Sequence, residues 1–169
     1  TRKTFNFARF VVGAEAVIIG FFLKCVIADK LAPIVDSIFA SPEAFNGMNV
    51  LIGAIFFGFQ IYGDFCGYSL IAIGLARILG LTLGRNFRRP YFAVSFSDFW
   101  QRWHISLSTG LRDYLYVPLG GNKGGKAATF RNLAATMLLG GLWHGAAWTF
   151  VVWGALHGFY LVVQRLLSP

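Results

Sequence analysis

Residues 132–164 read NLAATMLLGGLWHGAAWTFVVWGALHGFYLVVQ, a stretch of 33 residues without a Lys, Arg, Asp or Glu. A helix needs about 20 predominantly apolar residues to cross a bilayer, so this stretch predicts either one long tilted helix or two pieces broken near His144. The whole chain is similarly apolar, with 56% hydrophobic and 13% charged residues, against roughly 25% charged residues in soluble domains. The sequence therefore predicts an all-α, polytopic transmembrane helix bundle.

The charged residues give the chain a net charge of +8, from 15 basic and 7 acidic side chains. The basic residues follow the ends of the apolar runs and form no separate basic domain, which argues against nucleic-acid binding. This distribution is typical of loops on the cytoplasmic side of a membrane, and it favours contact with acidic lipid headgroups. The basic groups are Arg2, Lys3 and Arg9; Arg77, Arg85, Arg88 and Arg89; Lys123, Lys126 and Arg131; and Arg165.

Two further apolar runs lie in the first half of the chain. Residues 10–28 are long enough to cross a membrane. Residues 29–43, which contain Asp36, Pro33 and Pro42, predict an acidic connection on the non-cytoplasmic side. The following run is longer than one straight span, and its only charge is Asp64. Gly63 and Gly67 are spaced for close helix approach, and their cluster could also mark a bend or a break. We expect Asp64 to pair with a basic group inside the bundle; the alternative is that it faces a polar cavity.

A different pattern begins at Ser97, which we expect to cap a helix with Asp98 in its first turn. One arc of this helix is apolar and aromatic, while the opposite side is charged. The pattern predicts an amphipathic or re-entrant helix that lies in the membrane interface or lines a central funnel, with His104 on the inward arc. The apolar arc comprises Phe96, Trp100, Trp103, His104, Leu107 and Leu111.

His144 is the most informative polar residue, because an ionisable side chain inside a membrane is energetically costly and therefore usually has a function. If Arg131 marks the membrane edge, the intervening helical residues place His144 about 20 Å into a core about 30 Å thick. Neutral imidazole, the form expected there, is also the form that a general base needs. The structural alternatives are that His144 only hydrogen-bonds a neighbouring helix and that His104 is an interfacial residue. For His157 the structural interpretation is favoured.

Several common chemistries lack support in the sequence. Cys25 and Cys66 lie in apolar segments without the spacing of a metal site, so no metal ligand is predicted. The sequence also lacks the nucleophile elbow of serine hydrolases, the P-loop, the dinucleotide-binding glycine motif and the zinc-protease helix motif.

A set of motifs instead follows one order along nearly the whole chain. They are YGDFCGYS at 62–69, NF at 86–87, PY at 90–91, FWQRWHISLS at 99–108, RDY at 112–114, PLGG at 118–121, RN at 131–132 and GLWHG at 141–145. These motifs resemble those of the membrane-bound O-acyltransferase family, and within it they are most similar to the bacterial alginate O-acetyltransferase branch.

The resemblance implies that residues 1–169 are the central to C-terminal part of a membrane domain within a longer chain. It implies a multi-pass protein of the bacterial inner (cytoplasmic) membrane, which moves an acyl group, acetyl in this branch, from a cytoplasmic thioester toward an extracytoplasmic polysaccharide such as alginate. The expected donor substrate is acetyl-CoA or an acyl carrier protein, and no bound cofactor is expected. Expected partners are membrane lipids, the polysaccharide acceptor and an extracytoplasmic acetyltransferase.

The resemblance also implies roles for individual residues. His144 matches the catalytic histidine of the family and is expected to act as the general base. His104 matches a second polar position, which eukaryotic members fill with Asn, and is expected to orient the acyl group or to hydrogen-bond the developing oxyanion. The residues expected to contact substrate are Asp64, Tyr68, Trp100, Trp103, Arg112, Asp113, Asn132 and Trp143.

Two other functional classes stay open on the residues themselves. A transporter or channel segment would use His144, Asp64 and His104 as a proton or substrate path, and would produce flux without a covalent acyl product. A purely structural membrane subunit would respond to His144→Ala with a change in stability alone.

Overall fold

The structure, a computed structural model, describes residues 5–167, and within this range every regular element is helical. The all-α prediction is therefore confirmed, while Arg2 and Lys3 of the first basic group lie outside the described residues. The chain divides into two compact units between Arg85 and Asn86. The α-helices are α1 (Phe7–Phe21), α2 (Asp29–Ala40) and α3 (Gly47–Ile78) in the first unit, and α4 (Phe96–Arg102), α5 (Ile105–Leu111), α6 (Gly125–His144) and α7 (Trp148–Leu167) in the second.

Among residues 5–167, three helical stretches are long and apolar enough to cross a membrane. They are Phe7–Ala40, which combines α1, a π-helical segment and α2; Gly47–Ile78, which is α3; and Trp148–Leu167, which is α7. Many large apolar side chains along these stretches are exposed. Such an apolar surface is expected where a helix faces lipid or packs against other membrane helices. The chain is therefore a membrane protein. The funnel and the re-entrant helix stay predictions.

In the first unit, α1 and α3 pack antiparallel through glycines that bring their backbones together. A Cβ atom on Gly67 would lie 2.6 Å from the Gly20 carbonyl oxygen, and one on Gly63 would lie 3.0 Å from the Leu23 carbonyl oxygen. Only small residues allow helices to approach this closely, which confirms the prediction for Gly63 and Gly67. These glycines serve packing and cause no break, because α3 continues through them over 32 residues.

The predicted acidic connection over residues 29–43 is wrong, because the helical backbone continues through most of it. A π-helical segment, Phe22–Ala28, leads directly into α2. Although Pro33 lies inside α2 and removes one backbone donor, the apolar spacing of this segment is helical. Val35 and Ile38 are only 2% and 5% exposed, since they pack against α3. Burial of this face therefore outweighs the proline and the acidic residues that suggested a loop.

Asp64 pairs with a basic group, as predicted. Lys24 Nζ lies 2.5 Å from Asp64 Oδ1 and 3.2 Å from Asp29 Oδ1, so one ammonium group bridges two carboxylates. In hydrocarbon an unpaired charge is costly, and this pairing neutralises Asp64 within the first unit. Tyr68, one helical turn further along α3, is 67% exposed. Substrate contact by Asp64 and Tyr68 stays a prediction.

In the second unit, the last apolar stretch forms two helices, so the two-piece alternative is confirmed. Helix α6 ends at His144 and α7 begins at Trp148, and the short turn between them makes the helices antiparallel. A Cβ atom on Gly154 would lie 2.5 Å from the Met137 carbonyl oxygen. Gly145, which follows the last residue of α6, lies against the Phe150 ring of α7, because a Cβ atom there would come within 2.7 Å of Phe150 Cε2.

Candidate active site

The single amphipathic helix predicted from Ser97 onward is wrong, because the backbone breaks at His104. Helix α4 ends at Arg102 and α5 begins at Ile105. His104 itself has φ 43° and ψ 56°, the left-handed region that residues other than glycine seldom adopt. The arc calculated for a continuous helix therefore does not describe where the His104 ring lies.

The break at His104 is held in place by Asn86, which is distant in sequence. The Ile105 amide donates to the Asn86 carbonyl oxygen at 3.0 Å, and the Ser106 amide donates to Asn86 Oδ1 at 3.2 Å. The first amides of a helix have no partner within it, and Asn86 supplies partners for two of those in α5. These two hydrogen bonds stabilise the left-handed backbone conformation at His104, which a residue other than glycine seldom adopts without such support.

The start of α4 also differs from the prediction in its capping residue. Ser95 Oγ accepts a hydrogen bond from the Asp98 amide at 3.1 Å, so Ser95, and not Ser97, caps the helix. Asp98 lies in the first turn as predicted, and it accepts from Arg102 Nε at 2.7 Å and from the Val94 amide at 3.1 Å. The Arg102 guanidinium, followed by the Val94 amide, holds the pKa of the Asp98 carboxyl below its usual range.

His144 lies at the end of α6 among aromatic rings. Its ring centroid is 5.1 Å from Trp143 and 5.3 Å from Trp153, both edge-on, and 6.0 Å from Phe150 in a stacked arrangement. The His104 ring lies 6.1 Å from the same Trp143 indole. The structure therefore brings the two predicted catalytic histidines to one tryptophan, although α4 and α5 are separate helices.

A cavity of about 610 Å³ opens beside these rings, within the usual size range of small-molecule sites. Three of the predicted site residues, His144, Trp100 and Arg112, line it. Further lining residues are Trp153, Tyr116 and Arg165. One cavity thus combines an imidazole, indole walls and two guanidinium groups, an arrangement suited to a ligand with both apolar and anionic parts.

The remaining predicted residues of this unit lie outside the cavity wall, where most of them serve local structure. Trp103 stacks on Phe99 with ring centroids 5.6 Å apart. Asn132 is 1% exposed, and its Nδ2 donates to the Gly121 carbonyl oxygen at 3.1 Å. Asp113 accepts from Arg112 Nε at 2.7 Å. Trp143 is 62% exposed. Direct substrate contact by these four residues stays a prediction, as it does for His104, which does not line the cavity either.

Trp153 and Arg165 were missed because both lie in α7, whose position depends on the turn after His144. Gly154 marks the face of α7 that packs on α6, and the break after His144 folds Trp153 back against the imidazole. The sequence signal for this packing face was the four-residue spacing of Gly154 and Gly158. His157 contacts Trp100 and Trp153, with centroids 5.1 and 4.6 Å apart, and this aromatic packing is consistent with a structural residue.

His104 gives a pH-dependent prediction. Burial, followed by the nearby His144, lowers the pKa of His104 from 6.5 to about 4. Because the unfolded chain binds a proton at this residue near pH 6.5, stability should fall as pH drops from 6.5 to about 4 and should lose no more from this group below that range.

His104→Asn should flatten this decline, since Asn does not titrate and tolerates the left-handed backbone. The measurement is the thermal unfolding midpoint of the full-length protein from pH 7.5 to 4.5, in detergent micelles, compared between wild type and His104→Asn. An identical acid-side decline in wild type and His104→Asn would contradict the assignment.

The chain matches a family model described as "MBOAT, membrane-bound O-acyltransferase family" over residues 1–169. The chain belongs to this family. Among its relatives are proteins named "Probable alginate O-acetylase AlgI" in Azotobacter vinelandii and in Pseudomonas aeruginosa. The first is 50% identical over 98% of this chain and 33% of the relative; the second is 48% identical over 98% of this chain and 32% of the relative.

A third relative is a protein named "Peptidoglycan O-acetyltransferase" in Helicobacter pylori, 42% identical over 96% of this chain and 31% of the relative. The chain therefore spans about a third of the length of the curated relatives it matches. A less similar relative, named "Teichoic acid D-alanyltransferase" in Streptococcus thermophilus, is 31% identical over 88% of this chain and 38% of the relative.

Proposed function

We propose that this chain forms part of the active site of an O-acyltransferase that acetylates a polysaccharide, with His144 as the general base. The observation that carries the proposal is the place of His144, which lines a 610 Å³ cavity with its ring against Trp143 and Trp153. A general base must lie within reach of the hydroxyl that it deprotonates. An accessible imidazole on the wall of a substrate-sized cavity meets that requirement.

The reaction proceeds by attack of an acceptor hydroxyl on a thioester carbonyl. An imidazole nitrogen of His144 removes the hydroxyl proton as the oxygen forms its bond to the carbonyl carbon. The resulting tetrahedral oxyanion collapses, the carbon–sulfur bond breaks, and the leaving thiolate takes up the proton from the imidazolium. The products are an ester and a free thiol, and His144 returns to its neutral form.

The other site residues take supporting roles in this proposal. His104, which contacts the same indole as His144, donates a hydrogen bond to the oxyanion or orients the acyl group. The indole of Trp100 forms part of the apolar cavity wall, and Trp103 and Trp143, which lie outside that wall, are proposed to contact the substrates beyond it. Arg112, Asp113 and Asn132 contact the substrates or hold the loops that do. Substrate contact by Asp64 and Tyr68 is proposed from the family resemblance alone.

The donor is proposed to be a thioester that carries phosphate, either acetyl-CoA or an acyl carrier protein, both of which present a phosphopantetheine arm. Support comes from Arg112 and Arg165, which line the same cavity as His144 and offer guanidinium groups to phosphate. No cofactor bound throughout the reaction is required. The thiol leaves on the side from which the donor entered.

The names of the relatives support the acyl group and the acceptor. Proteins named as an alginate O-acetylase and a peptidoglycan O-acetyltransferase both point to acetyl transfer onto a polysaccharide. We infer that the whole protein is a multi-pass protein of the bacterial inner membrane, of which this chain is the central to C-terminal part. It receives the acetyl group at the cytoplasmic face and passes it toward alginate or a similar polysaccharide through an extracytoplasmic acetyltransferase.

The test is acyl transfer by the full-length protein reconstituted in vesicles with radiolabelled acetyl-CoA outside and the polysaccharide with its partner acetyltransferase inside. The expected result is label bound covalently to the polysaccharide. Label that crosses the membrane only as free acetate or as intact donor would indicate a transporter and overturn the proposal. A parallel reaction with D-alanyl-loaded carrier protein tests the acyl group, and transfer from that donor alone would replace acetyl with D-alanyl.

A further inference from the structure

A second, smaller cavity lies at the end of the first unit where α1 begins and α3 ends. Its volume is about 150 Å³, and Arg9 and Arg77 both line it, together with Ile73 and residues 80–83. None of the lining residues within the described range is acidic. We propose that this cavity binds the phosphate of an anionic phospholipid headgroup, a site that is independent of the acyl-transfer chemistry.

The two arginines are held together by the rigid contact between their helices. Asn6 Oδ1 accepts from the Arg9 amide at 2.9 Å and so fixes the first turn of α1. A Cβ atom on Gly13 would lie 2.7 Å from the Gly74 carbonyl oxygen and 2.6 Å from Ile78 Cγ1, so the backbones of α1 and α3 are in direct contact beside the two arginines. A cationic pair organised before its ligand arrives binds with a smaller entropic cost.

The turn after α3 gives the cavity its third wall. Gly80 has φ 74°, a left-handed conformation, and the Leu81 amide donates to the Ala76 carbonyl oxygen at 2.7 Å. This glycine-terminated helix end reverses the chain, so that Leu81 and Leu83 line the cavity while remaining largely exposed. A phosphate between the arginines would therefore have apolar side chains beside it, where acyl chains can lie.

The location favours a lipid over free phosphate. Arg9 and Arg77 lie at the ends of two membrane-crossing helices, which is the level of lipid headgroups. The opposite end of the same hairpin carries Asp36 and Glu43, so the charge is separated along the bundle in the sense of the positive-inside bias. Anionic lipids of the cytoplasmic leaflet are attracted to such basic sites by about 1 kcal/mol per Arg or Lys.

The experiment uses the purified full-length protein in detergent micelles, with bound lipid counted by native mass spectrometry. Phosphatidylglycerol should remain bound and raise the thermal unfolding midpoint, and phosphatidylcholine should do so far less, since its headgroup has no net charge. Arg9→Gln and Arg77→Gln should each weaken phosphatidylglycerol binding by about fivefold, and the double variant by about twenty-five-fold. Lys30→Gln, which removes one exposed positive charge from α2, should leave binding unchanged.

Three results would overturn the proposal. One is equal phosphatidylglycerol binding by wild type and the double glutamine variant. Another is a loss in Lys30→Gln as large as in Arg9→Gln, which would show a response to net charge alone. The third is full competition by inorganic phosphate at millimolar concentration, which would make this a site for free phosphate. If the double glutamine variant does not fold, Arg9→Lys/Arg77→Lys keeps both charges and should still bind, but more weakly because lysine cannot hold phosphate through two parallel hydrogen bonds.

Discussion

Replacing His144 with Ala in the full-length protein should lower acyl transfer by about 10²–10⁴-fold, the usual contribution of a general base. The loss should reside in the chemical step, because the side chains that line the rest of the cavity remain in place. The His144 side chain is exposed at the last residue of α6, so its removal leaves no buried void and should change the unfolding midpoint little. The measurement is the initial rate of label transfer from acetyl-CoA, with the midpoint determined on the same preparation.

Two further variants test whether the loss of activity comes from losing the base at His144. His144→Gln keeps a polar side chain of similar length but cannot act as a base near neutral pH, so it should be as inactive as His144→Ala. His157→Gln removes the other histidine of the same helical hairpin, whose ring lies 4.6 Å from Trp153, and should retain most of the activity. Wild-type transfer rates in both His144 variants would exclude this residue as the base.

Replacing Gly154 with Ala should lower acyl transfer by about 10²-fold, because the added methyl group would displace α7 from α6. Its Cβ atom would lie 2.5 Å from the Met137 carbonyl oxygen and 3.2 Å from Leu138 Cα, and backbone atoms cannot rotate away as a side chain can. Trp153, adjacent to Gly154, contacts the His144 ring. A displacement on the order of 1 Å in a site can cost about 10²-fold in rate.

Gly110→Ala is the matched control for this prediction. Gly110 lies within α5, and a Cβ atom there would have no neighbour within 4 Å. The substitution should therefore be neutral or stabilise the helix by up to about 1 kcal/mol, the difference in helix propensity between the two residues. The unfolding midpoint and the transfer rate of both variants are to be compared. An unchanged midpoint and rate for Gly154→Ala would contradict the close packing of α6 on α7.

The features that sequence could predict are those that depend on composition and local spacing. The apolar stretches predicted membrane helices, because a bilayer imposes a minimum length on any crossing segment. Gly63 and Gly67 predicted a close helix contact from their spacing alone. The pairing of Asp64 followed from the cost of a lone carboxylate in hydrocarbon, although the identity of its partner, Lys24, required the structure.

The features that sequence could not predict depend on residues that are distant along the chain. The left-handed backbone at His104 is stabilised by hydrogen bonds to Asn86, and nothing in residues 97–111 signals it. Pro33 suggested a loop, but burial of Val35 and Ile38 against α3 favours the helix. Trp153 could not be placed beside His144 until the turn between α6 and α7 was known. The catalytic roles themselves rest on family resemblance and stay predictions.

The end of α6 at His144 has an electrostatic consequence for a base at this position. The peptide dipoles of a helix add up to a partial negative charge at its carboxyl end, which stabilises a nearby cation by roughly 0.3–1 kcal/mol when exposed. His144 is the last residue of a helix of 20 residues, so an imidazolium formed there during proton transfer lies at that negative pole. Under the proposed mechanism, helix α6 would therefore both position the ring and stabilise the positive charge that the ring acquires while the tetrahedral intermediate exists.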